Sequence, residues 1–142
     1  MTLTEEFCRL LDAVGLGRYA EHDADTSGDI YPMVLPATPD ECLAVTFSAG
    51  RESDSVLPFD EPRLQVRVRG PRNDVYAPED RAAAIYSRLH GLGGIRLPGG
   101  TRLVGLYGSQ GGGFPMGQDA DGRMEFVINF RADVRRATFH RM

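Results

Sequence analysis

The chain has 142 residues, 42% apolar and 25% charged, with a formal net charge of −4. That size and balance suit one globular domain and exclude a wholly disordered chain. The acidic balance argues against a protein devoted to phosphate contacts, and no apolar run approaches a membrane span.

All 16 basic residues are arginine, so every basic contact is open to planar, bidentate guanidinium geometry. Glu5 and Glu6 precede the apolar positions at the start of the chain, the reverse of a signal peptide. Cys8 and Cys42 form no CxxC pair and no metal-ligand spacing. Each sits among apolar neighbours, and both read as buried, reduced thiols.

Phe7, Leu10, Leu11 and Val14 recur at helical spacing and predict an amphipathic helix over 4–14. Thr2 and Glu5 have capping-box spacing, the two acids suit the positive end of the helix dipole, and Gly15 and Gly17 supply the stop. Residues 20–41 lack a period and carry Pro32, Pro36 and Pro39, which argue against a helix or a central strand. They read as a tethered loop, partly packed through Ile30, Tyr31, Val34 and Leu35. Alternating Leu43, Val45 and Phe47 predict a strand over 42–48, and the polar, acidic stretch 49–62 a second long loop.

Leu64, Val66 and Val68 alternate with Arg63, Gln65, Arg67 and Arg69, which predicts a strand over 63–69. After a turn at 70–74, Pro78 fits the first position of a helix over 78–92 that buries Ala82, Ile85, Leu89 and Leu92. A short strand at 95–97 and a more covered strand at 101–107 follow. Residues 108–122 form a glycine-rich loop. A last strand over 123–134 points Met124, Phe126, Ile128, Phe130, Ala132 and Val134 inward, and Arg123, Glu125, Asn129, Arg131 and Asp133 outward. The expected fold is therefore a single α+β domain, a mostly antiparallel sheet packed against two helices.

Tests for chemistry come back negative. The glycine loop has no Gly-Lys-Ser/Thr and leads into a strand, so it is neither a P-loop nor a dinucleotide fingerprint. Asp119-Ala120-Asp121-Gly122 opens like a calcium loop but lacks the later ligands, and a turn explains it more simply. His22, His90 and His140 are scattered, and Ser109 lacks the nucleophile-elbow frame. His90, at a helix end, suits the dipole as a cation. The sequence thus points to no enzyme, no cofactor and no metal. The Arg63, Arg67 and Arg69 face is open to three readings: nucleic-acid contact, pairing with acids of a neighbouring subunit, or an ordinary solvated face.

Several stretches, in order, resemble the tail-terminator proteins of siphophages, a family often labelled minor capsid proteins. They are Leu35-Pro36-x-x-Pro39-Asp40 before a strand, the strand from Leu64 to Gly70, and Tyr76-Ala77 opening a helix that ends in Leu89-x-Gly91. Last comes Gly117-Gln118-Asp119, leading into the strand from Arg123 to Phe130. The resemblance implies a structural virion protein, built in the bacterial host cytoplasm and placed at the head–tail interface. It implies a homo-hexameric ring that caps the tail tube, stops its polymerisation and joins it to the head connector. The implied partners are other copies of the chain, the tail tube protein, the connector, and genomic DNA that passes through the lumen without tight binding; no membrane is implied. A head–tail connector or head-completion protein of the same particle is the alternative, and a small ligand-binding domain or enzyme a more distant one. The residues expected to meet neighbouring subunits or the tube are Arg63, Arg67, Arg69, Gly112, Phe114, Asp119, Arg123 and Glu125.

Overall fold

A computed structural model of the chain describes residues 1–20 and 28–141. Helix α1 (Leu3–Ala13) opens it. The Thr2 side chain accepts a hydrogen bond from the Glu5 amide at 3.2 Å, so the cap works as its spacing predicts. Strands β1 (Ile30–Pro32), β2 (Cys42–Ser48), β3 (Phe59–Asp60) and β4 (Arg63–Arg72) follow. Next come α2 (Tyr76–Leu89), β5 (Ile95–Arg96), β6 (Arg102–Gly108), β7 (Phe114–Gln118) and β8 (Arg123–Arg135).

The eight strands make one sheet in the order β1-β2-β4-β8-β6-β5, with β3 and β7 also paired to β8. Only β1–β2 is parallel; every other pair is antiparallel. The α+β expectation therefore holds, with three strands more than the residue pattern shows. β1 ends on Pro32 at the sheet edge, where a missing N–H costs no ladder bond. β3 lies inside the acidic loop and pairs Phe59 with Arg135. β7 occupies the second half of the glycine-rich segment, and its ladder with β8 is bulged between Pro115 and Gly117, where Gly117 takes φ +103.

Both helices lie on one face. α1 packs against β1 and β2, and α2 against β4, β6 and β8. Their apolar stripes, Phe7, Leu10 and Leu11 with Ala82, Ile85 and Leu89, meet Leu43, Val45, Leu64, Val66, Ile128 and Phe130 in the core. α2 starts two residues before Pro78 because the Asp74 carboxylate accepts from the Tyr76 and Ala77 amides at 3.0 and 3.1 Å. It stops at Leu89, after which His90 is extended and Gly91 takes φ +87. Strand β4 runs on through the expected turn to Arg72, with a register shift after Arg69. Gly70 sits in that shift with α2 so close that a Cβ would lie 2.5 Å from Pro78.

Glu6 does more than complement a dipole. Its carboxylate is buried and accepts from the Gly99 amide at 3.0 Å, the Thr101 amide at 3.2 Å and the Thr101 hydroxyl at 2.6 Å. This ties the first turn of α1 to the turn before β6. Glu6→Ala leaves the buried Thr101 groups unpaired and is expected to cost about 2 kcal/mol or more, read by urea denaturation. A loss within error of zero would show that solvent replaces the tether.

Candidate inter-subunit surface

Among the described residues, no helix or second sheet packs on the face of the sheet away from the helices. Antiparallel partners share a face, so the register lays its residues out in rows. Ala44, Arg67, Val127 and Phe114 form one row. Thr46, Gln65 and Asn129 form the next, and Ser48, Arg63, Arg131 and Tyr107 the third. The surface mixes apolar and charged groups, and most of the charge is already used. Arg67 donates to Glu125 at 2.8 Å, Gln65 to Asn129 at 3.3 Å, and the Arg131 guanidinium stands 5.1 Å from the Tyr107 ring centre. A groove of about 330 Å³ opens between Gln65, Arg67, Phe114, Met116, Glu125 and Val127.

The arginine-lined strand thus divides into three different fates. Arg63 is exposed, and among the described residues no carboxylate pairs with it. Arg67 is paired across the sheet. Arg69 is only 4% exposed and donates to the carbonyls of Pro36, Pro39 and Asp40. Arg123, also expected to face outward to neighbours, is 6% exposed. It donates to the Ala37 carbonyl at 2.7 Å and pairs with Asp40, Asp119 and Asp121 at 3.2, 2.8 and 3.3 Å. Arg69 and Arg123 therefore depart from the expectation of free contact residues: inside the protomer they clamp the proline-rich loop 33–41 onto one end of the sheet. A proline-rich loop makes few backbone bonds of its own, so its carbonyls need side-chain donors.

Asp119 is tied into the same clamp. It accepts from the Asp121 and Arg123 amides at 2.9 and 3.0 Å, and these bonds, that from Arg123 foremost, hold its carboxyl below the ordinary range. Gly112 takes φ +148 and lines a shallow cleft against α2, while Phe114 is 37% exposed beside the Arg67–Glu125 pair. Of the expected contact residues, Arg67, Phe114 and Glu125 come together at the one groove.

The histidines and cysteines do not converge. His90 Nδ1 accepts from the Gly108 amide at 2.9 Å and its ring stacks on Tyr86, which ties the end of α2 to the end of β6. His140 is exposed at the far end of the chain, and His22 lies outside the described residues. Cys8 and Cys42 are free and buried; burial pushes the Cys8 thiol up to about 12 and raises that of Cys42. Both are poor nucleophiles. Among the described residues no His, Cys, Asp and Glu cluster could hold a metal ion, and no helix is long and apolar enough to cross a membrane.

A family model described as bacteriophage tail terminator protein matches residues 11–136. The chain belongs to the bacteriophage tail terminator family. Tail terminators are structural proteins of the virion tail. A solved structure 17% identical to the chain superposes with a TM-score of 0.54. The match covers 95% of this chain and 93% of that one, and supports the fold alone. No curated protein matches.

One part of this tail terminator's surface carries no signal that the sequence reading found. The C-terminal segment folds back on the acidic loop, and Arg141 forms a buried two-pronged pair with Asp60 at 2.8 and 2.9 Å. Arg136 approaches the same carboxylate at 3.5 Å. The Arg141 hydrogen bonds, aided by both guanidinium charges, outweigh burial and hold the Asp60 carboxyl down at about 2. Because the unfolded carboxyl titrates near 3.8, this stabilisation is complete above about pH 4 and fades as pH falls through 2. It is worth roughly 2 kcal/mol. In urea unfolding, the stability gap between wild type and Asp60→Asn is expected to shrink by that amount between pH 4 and pH 2; a constant gap would refute the assignment.

Proposed function

We propose that the protein forms a ring, with six copies the expected number, that closes the finished tail tube and presents its other face to the head connector. The match to the tail terminator family over residues 11–136 carries this reading. The sheet supports it: among the described residues one face carries no helix, and the edge strand β7 is exposed along its length. A subunit that docks laterally needs such a surface, whereas a monomeric α+β protein usually covers or charges it. The tube protein meets one rim, the connector the other, and DNA leaves the head through the lumen. The net charge of −4 suits a conduit that must not hold DNA tightly. Assembly takes place in the host cytoplasm before the tail joins the head.

Phage lacking this gene are expected to make tails of uncontrolled, excess length, seen by negative-stain electron microscopy. Tails of normal length beside unjoined heads would assign the protein to the connector instead.

A further inference from the structure

The last described residues form a small, deliberate structure. Thr138 and Arg141 exchange backbone hydrogen bonds at 2.8 and 3.1 Å, which leaves Phe139 and His140 as a two-residue tip. The Arg141–Asp60 pair fixes this tip, and Arg141 also reaches the Leu57 and Phe59 carbonyls at 3.4 Å. Asp54 shapes the adjoining loop by accepting from the Val56 and Leu57 amides, both at 2.7 Å. The result is a pinned unit that leaves Phe139 93%, Val56 68% and Leu57 60% exposed. Holding an aromatic ring in water on a buried ion pair is unfavourable for an isolated protomer.

The charges around this unit are also incomplete. Arg102 and Arg135 face each other across the β6–β8 ladder, a like-charge pair that destabilises a sheet. Among the described residues no carboxylate pairs with either. The opposite end of β8 carries carboxylates: Asp40, Asp119 and Asp121 gather around Arg123, Asp40 also meets Arg72, and the Asp121 side chain stays about half exposed. The groove lined by Phe114, Met116 and Val127 opens toward that end of the strand, beside Glu125. From Val127 to Arg135 the strand rises about 26 Å.

We infer that Phe139, with Val56 and Leu57, is a knob that enters the Phe114–Met116–Val127 groove of a second copy of this chain, with the Arg102–Arg135 end against that copy's Asp119–Asp121 end. Knob and socket are separate patches at opposite ends of one strand, with the Arg102–Arg135 pair near the one and the Asp119 and Asp121 carboxylates near the other. A two-fold dimer would seat each knob in the other copy's socket and stop at two, whereas a head-to-tail contact uses one knob and one socket at each interface and repeats until it closes. The inference rests on the ring reading and names the surfaces that would build the ring.

The test uses the full chain and two variants, Phe139→Asp and Met116→Asp, alone and mixed, with mass read by analytical ultracentrifugation in the presence of tail tube protein. Both side chains are exposed, so each variant is expected to melt as wild type does. Each variant alone is expected to lose self-association by at least roughly tenfold. The mixture is expected to form a dimer and nothing larger, because it restores one intact contact between an unaltered knob and an unaltered socket. Wild-type assembly by either variant, or a mixture that stays monomeric, would overturn the knob and socket while leaving the ring. A wild type that stays monomeric would overturn both, and one that stops at a dimer would overturn the head-to-tail contact and the ring.

Discussion

Strand β8 is 13 residues long and makes ladder bonds to β4 and β3 along one side and to β7 and β6 along the other. Its register decides which residues enter the core. Phe126, Ile128, Phe130, Ala132 and Val134 point to the helices, and a slip by one residue would bring Glu125, Asn129, Arg131 and Asp133 in their place. The outer face follows from the same register, which sets Arg67 beside Glu125 and Gln65 beside Asn129. The groove, the charge at each end and the placing of β7 are consequences of one strand held in position.

Arginine alone supplies the basic chemistry, and the fold exploits its shape. Arg69 and Arg123 each spread their donors over several acceptors in different directions, and Arg141 grips Asp60 with two parallel bonds. Lysine could match the charge of these contacts but not the fixed fork of donors. The loop 33–41 and the C-terminal turn are fastened in the same manner, a guanidinium on the sheet side and carbonyls or a carboxylate on the loop side. These fastenings stand at the two ends of the sheet, where a subunit that contacts neighbours needs firm edges.

Helix α1 and strands β2, β4 and β8 were legible in the sequence because their apolar residues repeat with the period of the element. Strands β1, β3 and β7 were not, for they are short, lie at edges or ends, and owe their form to backbone pairing with a partner already present and not to a buried stripe. Arg69 and Arg123 looked exposed because alternation assigns a face and says nothing of what covers it. Their partners in the loop lie 29 to 86 residues away in sequence. The run of prolines there was a usable signal, since its carbonyls had to find donors outside the loop. Arg141 and Asp60, 81 residues apart, gave no local sign at all. Phe114 and Glu125 could be singled out as surface residues, but their meeting at one groove depends on the β7–β8 bulge.

The position of β8 along the chain sets the order in which the protein can form on the ribosome. Residues 123–135 leave the exit tunnel after both helices and the other seven strands, yet four of those strands and the floor beneath α2 depend on them. Until then the emerging chain can close β2 against β4 but has no central strand to complete the layer. The contacts that remain span long stretches of sequence, which slows their formation and leaves edges open meanwhile. Closure of the sheet therefore waits for β8, and a ribosome that stops short of residue 123 releases a chain with two helices and no central strand to join the rest of the sheet.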